Sequence, residues 1–209
     1  MSRVDNRRTE ILLNAAESFV ENGYDATSMS ELASRCRITK PGLYYHFRSK
    51  QDLLFAIMSQ ALDVLEHSTL EATLSAPSHE VRLRTILGAH AHLITREENS
   101  PVTILVVEER SALRPEDRRI IEHRLRSYIG LIRATLEGLR GEGKLRDVDT
   151  GVAALSLLGM VISMARWYRR SGRLTARQVA DQITDLAVAS VIRPNGGPPT
   201  ASSRRSSDG

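Results

Sequence analysis

The chain has 209 residues, 41% hydrophobic and 26% charged, with a formal net charge of +4. That balance excludes a disordered or fibrous chain and supports one good core or two small ones. Aromatics make up only 4% and there is one cysteine, so the core is mainly aliphatic and no internal disulfide is possible.

The N-terminal stretch MSRVDNRRTE is polar, without a secretory pattern, and with the lone Cys36 it predicts a cytoplasmic protein. A first helix is expected over residues 7–22, with Leu12, Ala15, Ala16 and Phe19 on one face and Gly23 as its stop. Ser28 and Glu31 have capping-box spacing and predict a second helix from Met29 to about Arg35, with Met29, Leu32, Ala33 and Cys36 on its apolar side. A turn at Arg37-Ile38 follows. Thr39 then caps a short third helix, with Pro41 in its first turn. Ser49 and Asp52 repeat the capping spacing for a fourth helix, from Lys50 to about Thr73.

Breaks at Ala76-Pro77-Ser78, Asn99-Ser100-Pro101 and Arg114-Pro115 delimit a fifth helix (79–98), a sixth ending near Leu113, and a long seventh (116–139). An eighth helix is expected from Asp149 to Arg170. A capping box of Thr175 and Gln178 opens a ninth, ending near Ile192. The tail from Pro194 is Pro, Gly and Ser rich and is expected to be disordered. The fold class is therefore all-α. Residues 1–49 form a reader unit, 50–193 a larger helical body, and 194–209 a tail.

Residues 27–50 carry the chemistry. Two short helices joined by a tight turn have the layout of a helix-turn-helix, with 39–46 as the recognition helix. The segment holds five basic residues (Arg35, Arg37, Lys40, Arg48, Lys50) against one acid, Glu31, which suits phosphate contacts. Helix starts at Ser28 and Lys50 offer free N–H groups to anions, with added donors on Thr27, Ser28 and Lys50. Tyr44 and His46 offer further backbone contacts, and Arg37 is either a phosphate contact or a solvated charge. Base reading falls to Thr39, Lys40 and Tyr45. Lys40 suits a guanine edge, Pro41 a thymine methyl, and Gly42 leaves room for close backbone approach. Leu43 and Phe47 are expected to face the core.

The run TSMSELASRCRITKPGLYYHFRSKQDLL closely resembles the signature of the TetR family of transcriptional regulators, over about residues 7–55. The Thr-Ser start, the Leu-Tyr-x-His-Phe ending and the Ser-Lys-x-x-Leu opening are all present. Pro41 departs from the small residue common there. The resemblance implies a homodimeric, ligand-responsive DNA-binding regulator and the same two-part arrangement.

Residues 150–165 are uncharged, but 16 residues fall short of a membrane span, for which about 20 are needed, and Arg166, Arg169 and Arg170 follow at once. A buried helix is the reading. Together with the amphipathic ninth helix it would form a four-helix dimer interface, with Ala154, Gly159 and Ala187 permitting close approach. The stretch 153–186, centred on RWYRRSGRL, is similar to a TetR subgroup that senses acyl-CoA thioesters. On that likeness Arg166 and Arg170, with Arg169, would meet phosphates, and Trp167 or Tyr168 would stack on adenine or wall the pocket. The alternatives are cations completing a helix end, a regulator of drug efflux answering a lipophilic compound, and a helical ligand-binding module without DNA binding. GLRGEGK (138–144) lacks the strand and spacing of a phosphate loop, His90 and His92 do not share a helix face for a metal, and no catalytic constellation or cofactor motif appears. The expectation is a repressor released from operator DNA, not an enzyme.

Overall fold

Local capping chemistry starts most of the helices. In the computed structural model, which describes residues 3–96 and 100–194, helix α1 (Arg3–Asn22) ends where Gly23 takes φ +85°. Helix α2 (Met29–Arg35) opens on the expected capping box. The Ser28 hydroxyl accepts from the Glu31 N–H at 3.2 Å, and the Glu31 carboxylate accepts from the Ser28 N–H at 2.7 Å. Helix α3 (Lys40–His46) is capped by Thr39, whose hydroxyl accepts from the Gly42 N–H at 3.1 Å. Leu43 and Phe47 point inward, as expected.

The body follows as α4 (Lys50–Ser75), α5 (His79–Ile94), α6 (Ser100–Glu108), α7 (Pro115–Gly141), α8 (Thr150–Trp167) and α9 (Ala176–Val191). A 3-10 turn, Arg110–Ala112, links α6 to α7. Helix α5 is the axis of the body: it packs on α4, α7, α8 and α9 and buries Leu83, Ile86, Leu87 and Ile94. In the reader, α2 packs on α3 and α1, and α1 also rests on α4 and α6. Among the described residues the fold is all-α, with nine α-helices and one isolated β-bridge, Leu145 with Ile192.

Five expectations need correction. Helix α1 begins four residues early, because its polar first turn carries no apolar periodicity to read. Helix α5 ends at Ile94, and α6 gives way to the 3-10 turn before Leu113. Helix α8 ends at Trp167 rather than Arg170: Tyr168 is extended, and the Arg169 guanidinium donates to the carbonyls of Arg166 and Tyr168, satisfying the helix end. Finally, Ala154 and Ala187 are fully buried within their own chain, so of the three small residues only Gly159 faces outward. Past Pro194 the expected tail lies outside the described residues. The GLRGEGK run is the end of α7 and its turn. A Cβ at Gly138 would lie 2.2 Å from the His79 ring, and Gly143 has φ +71°.

Candidate nucleic-acid interface and apolar cavity

Helix α3 presents one continuous outer surface. Thr39, Lys40 and Pro41 are exposed at its start, Tyr45 is 85% exposed and Tyr44 43%. His46 is half-buried and meets Tyr45 edge-on, with ring centroids 5.3 Å apart. Ser28 and Arg37 are exposed nearby in sequence. Arg37 holds φ +52°, an uncommon conformation for a side chain with a Cβ, at the turn between α2 and α3. The Arg7 guanidinium braces that turn by donating to the Cys36 carbonyl at 2.9 Å.

Two of the expected DNA contacts are turned inward instead. Thr27 is buried, and its hydroxyl donates to the Gly23 carbonyl at 2.8 Å. The Lys50 ammonium donates to the carbonyls of Tyr24 (2.7 Å) and Asp25 (3.2 Å) and lies 4.3 Å from the Tyr24 ring centroid. Both side chains hold the α1–α2 connection. Gly42 also has a local reason for lacking a side chain: a Cβ there would stand 3.1 Å from the Thr39 hydroxyl and crowd the cap. The positive patch is smaller than counting implies, because Arg35 pairs with Glu17 and Glu21 of α1. Those two carboxylates push the Arg35 guanidinium up, and Arg35 holds the Glu21 carboxyl down. Arg8 of α1, missed in the sequence, lies 5.3 Å from the Phe47 ring centroid, next to Arg48.

The body contains an apolar cavity of about 330 Å³, walled by α4, α5, α6, α7 and α8. Leu62, Leu65, Val102, Val106 and Leu158 form its buried wall. The more exposed Val64, Val107 and Leu155 lie on its open side. Among the described residues, Arg110, half-buried in the 3-10 turn, is the one formally charged residue lining it. Three polar side chains also line it: Thr103, His90 and Tyr128. The His90 ring on α5 and the Tyr128 hydroxyl on α7 are 3.2 Å apart, and both residues are buried. Burial pushes His90 down to about 4, so the ring is neutral at pH 7, and pushes the Tyr128 phenol up.

None of the four residues expected to bind a ligand lines this cavity. Arg166 pairs with Glu108, the neighbour of the cavity-lining Val107. Trp167 is half-exposed, and its indole N–H donates to the Ser163 hydroxyl at 3.2 Å. Tyr168 caps the end of α8, and Arg170 is exposed in the turn beyond. The cavity residues left a faint sequence signal. His90 falls on the apolar stripe of Leu83, Ile86, Leu87 and Ile94, and Tyr128 on that of Ile121, Ile132 and Leu139.

Polar contacts join the 3-10 turn beside the cavity to the start of α4. Next to Arg110 in the 3-10 turn, the Ala112 carbonyl accepts from the Gln51 amide at 3.0 Å. Arg114 donates to the Ser49 hydroxyl at 2.9 Å and pairs with Asp52. All three partners belong to the start of α4, which follows the recognition helix directly.

Residues 11–57 match the family described as bacterial regulatory proteins, tetR family, and residues 76–191 match the tetracyclin repressor-like, C-terminal domain. A crystal structure of AibR with isovaleryl coenzyme A and operator DNA is 36% identical, covers 86% of this chain and 97% of that one, and has a TM-score of 0.77. The HTH-type transcriptional repressor KstR2 of Mycobacterium tuberculosis is 26% identical over 91% of this chain and 96% of its own, and its structure has a TM-score of 0.82. The HTH-type transcriptional activator FasR of Mycolicibacterium smegmatis is 36% identical over a segment spanning 44% of this chain and 42% of that protein.

Proposed function

The chain belongs to the TetR family of ligand-responsive, DNA-binding transcriptional regulators, and from that premise we propose that it is a homodimeric repressor whose cavity binds the acyl part of a CoA thioester. The observation that carries the effector reading is the largely aliphatic cavity of about 330 Å³, open on one side, with Arg110 the single arginine on its wall among the described residues. A cavity of ~150 Å³ takes one benzene, so this one holds roughly a dozen non-hydrogen atoms. That accommodates a short or medium acyl group with its thioester. The nucleotide of CoA exceeds the space and lies outside, towards Arg110 and the Arg166–Glu108 pair beside Val107. AibR, with which this chain shares its fold, is crystallised with isovaleryl coenzyme A. A cationic efflux drug fits less well, since no carboxylate lines the cavity among the described residues.

Residues 1–49 act as the reader and 50–193 as the sensing and dimerising body. Lys40, Tyr45, Thr39 and Pro41 meet base edges. Ser28, Tyr44, His46 and Arg37 meet the backbone, and Arg8 and Arg48 add charge beside them. Dimerisation uses the outer faces of α8 and α9, where Val152, Leu155, Trp167 and Leu186 stand exposed and α8 carries no charge before Arg166. Two readers then meet consecutive major grooves ~34–36 Å apart. Titration onto DNA from the chain's own upstream region, at fixed salt and with a panel of acyl-CoA thioesters, tests the reading. One thioester is expected to abolish tight, selective binding, and indifference to every thioester overturns the effector assignment.

A further inference from the structure

We infer that the effector's apolar group carries an oxygen function, a ketone or hydroxyl, at its inner end, received by the His90–Tyr128 pair. The inference rests on the cavity being the effector site. The pair lies on the closed side: His90 is 7% and Tyr128 6% exposed, against 41% for Val64 and Val107 on the open side. Their only hydrogen bond among the described side chains is the one they share, at 3.2 Å.

Counting donors shows what that bond leaves over. A neutral imidazole has one N–H and one bare nitrogen, and a phenol has one O–H. If the Tyr128 hydroxyl donates to Nδ1, the proton of His90 sits on Nε2 and that N–H is unused. If Nδ1–H donates to the Tyr128 oxygen instead, the phenol proton is unused. Each arrangement leaves one donor over, so an oxygen acceptor on the ligand satisfies the pair in both. A buried polar side chain without its partner is costly, and Arg82 Nε is the buried side-chain atom without one among the described residues. The second ring nitrogen of His90 is not sealed in that way, because the ring opens onto the cavity. A plain hydrocarbon filling the cavity would cover it with nothing to accept its bond. A ligand bearing a ketone or hydroxyl there covers it and pairs it.

The thioester carbonyl itself does not meet this requirement. With the nucleotide outside, the thioester lies towards the open side, and the inner end of the acyl chain reaches His90. The acceptor is therefore a second oxygen, remote from the sulfur.

The test is calorimetric titration of the full chain with octanoyl-CoA and with its 5-oxo, 7-oxo and 7-hydroxy derivatives. At least one oxygenated chain is expected to bind about fivefold or more tightly than octanoyl-CoA. In the double variant His90→Leu/Tyr128→Phe, which removes both donors, that preference disappears. Should the double variant not fold, the carbonyl stretch of the bound 13C-labelled ketone in the unaltered chain reads the same bond, and is expected below its position in an apolar solvent. Octanoyl-CoA binding as tightly as every oxygenated chain overturns this inference and leaves the acyl-CoA reading intact. A preference that survives in the double variant overturns the assignment to the pair. Failure of all four thioesters to bind overturns both readings together.

Discussion

Arg114, at the start of α7, is paired with Asp52 in the first turn of α4. The same guanidinium reaches the Ser49 hydroxyl that caps α4, and the Ala112 carbonyl two residues before it holds Gln51. The cavity-lining Arg110 belongs to the same 3-10 turn as Ala112. A ligand that displaces this turn therefore acts on the start of α4, and through it on the recognition helix. Only a difference in ligand affinity between the two arrangements can drive that displacement.

Arg114→Ala is expected to leave effector affinity within about twofold while reducing the effector's influence on DNA binding from at least about fivefold to near none. Thermal stability changes little, because the pair is partly exposed and screened. Paired titrations of effector and DNA read both numbers. An unchanged effector response contradicts this route.

Lys40 and Thr27 separate reading from folding. Lys40→Ala is expected to weaken operator binding about tenfold and lower the salt dependence of binding by roughly one counterion, with no loss of stability. Thr27→Val, which removes the buried donor to the Gly23 carbonyl, costs about 1 kcal/mol of stability. At a temperature where both proteins are folded, its DNA affinity is unchanged. Melting curves beside anisotropy titrations distinguish the two.

His90 predicts an acid sensitivity with a definite sign. Its folded value is about 4 and the ordinary one about 6.5, so the unfolded chain binds more protons between these limits. The contribution is fully present above about pH 6.5 and is lost as the pH falls through that window, up to an order of 3 kcal/mol below pH 4. Denaturant unfolding of the protein and of His90→Leu across pH 4 to 7 reads it: the variant loses less stability on acidification.

Leu186 is 60% exposed on α9 and stands on the face assigned to dimerisation. Leu186→Arg is expected to shift the sedimenting species from dimer to monomer and to weaken operator binding at least tenfold, since one reader meets only half the site. A dimer that withstands the change places the interface elsewhere.

Elements governed by neighbours in sequence were legible beforehand. The caps at Ser28, Thr39, Ser49 and Thr175 lie within three residues of what they bond, so spacing alone reveals them. Lys50 was not legible, because its partners, Tyr24 and Asp25, lie 26 and 25 residues away and nothing local marks them. The end of α8 is hidden from the sequence for a similar reason. Arg169 closes the helix by folding back onto carbonyls, which charge counting reads as a cationic extension of the helix. The cavity is assembled from five helices, so its members share no sequence motif. A histidine on an aliphatic stripe is the clue the sequence carries.

Control of the reader by the filling of the cavity is tested most directly by fluorescence anisotropy of labelled operator DNA, with and without the effective thioester, for the unaltered chain and for Ile129→Trp, which fills the cavity from its α7 wall. The thioester is expected to release DNA from the unaltered chain and to do nothing to the variant. Equal responses of the two proteins to the thioester would contradict it.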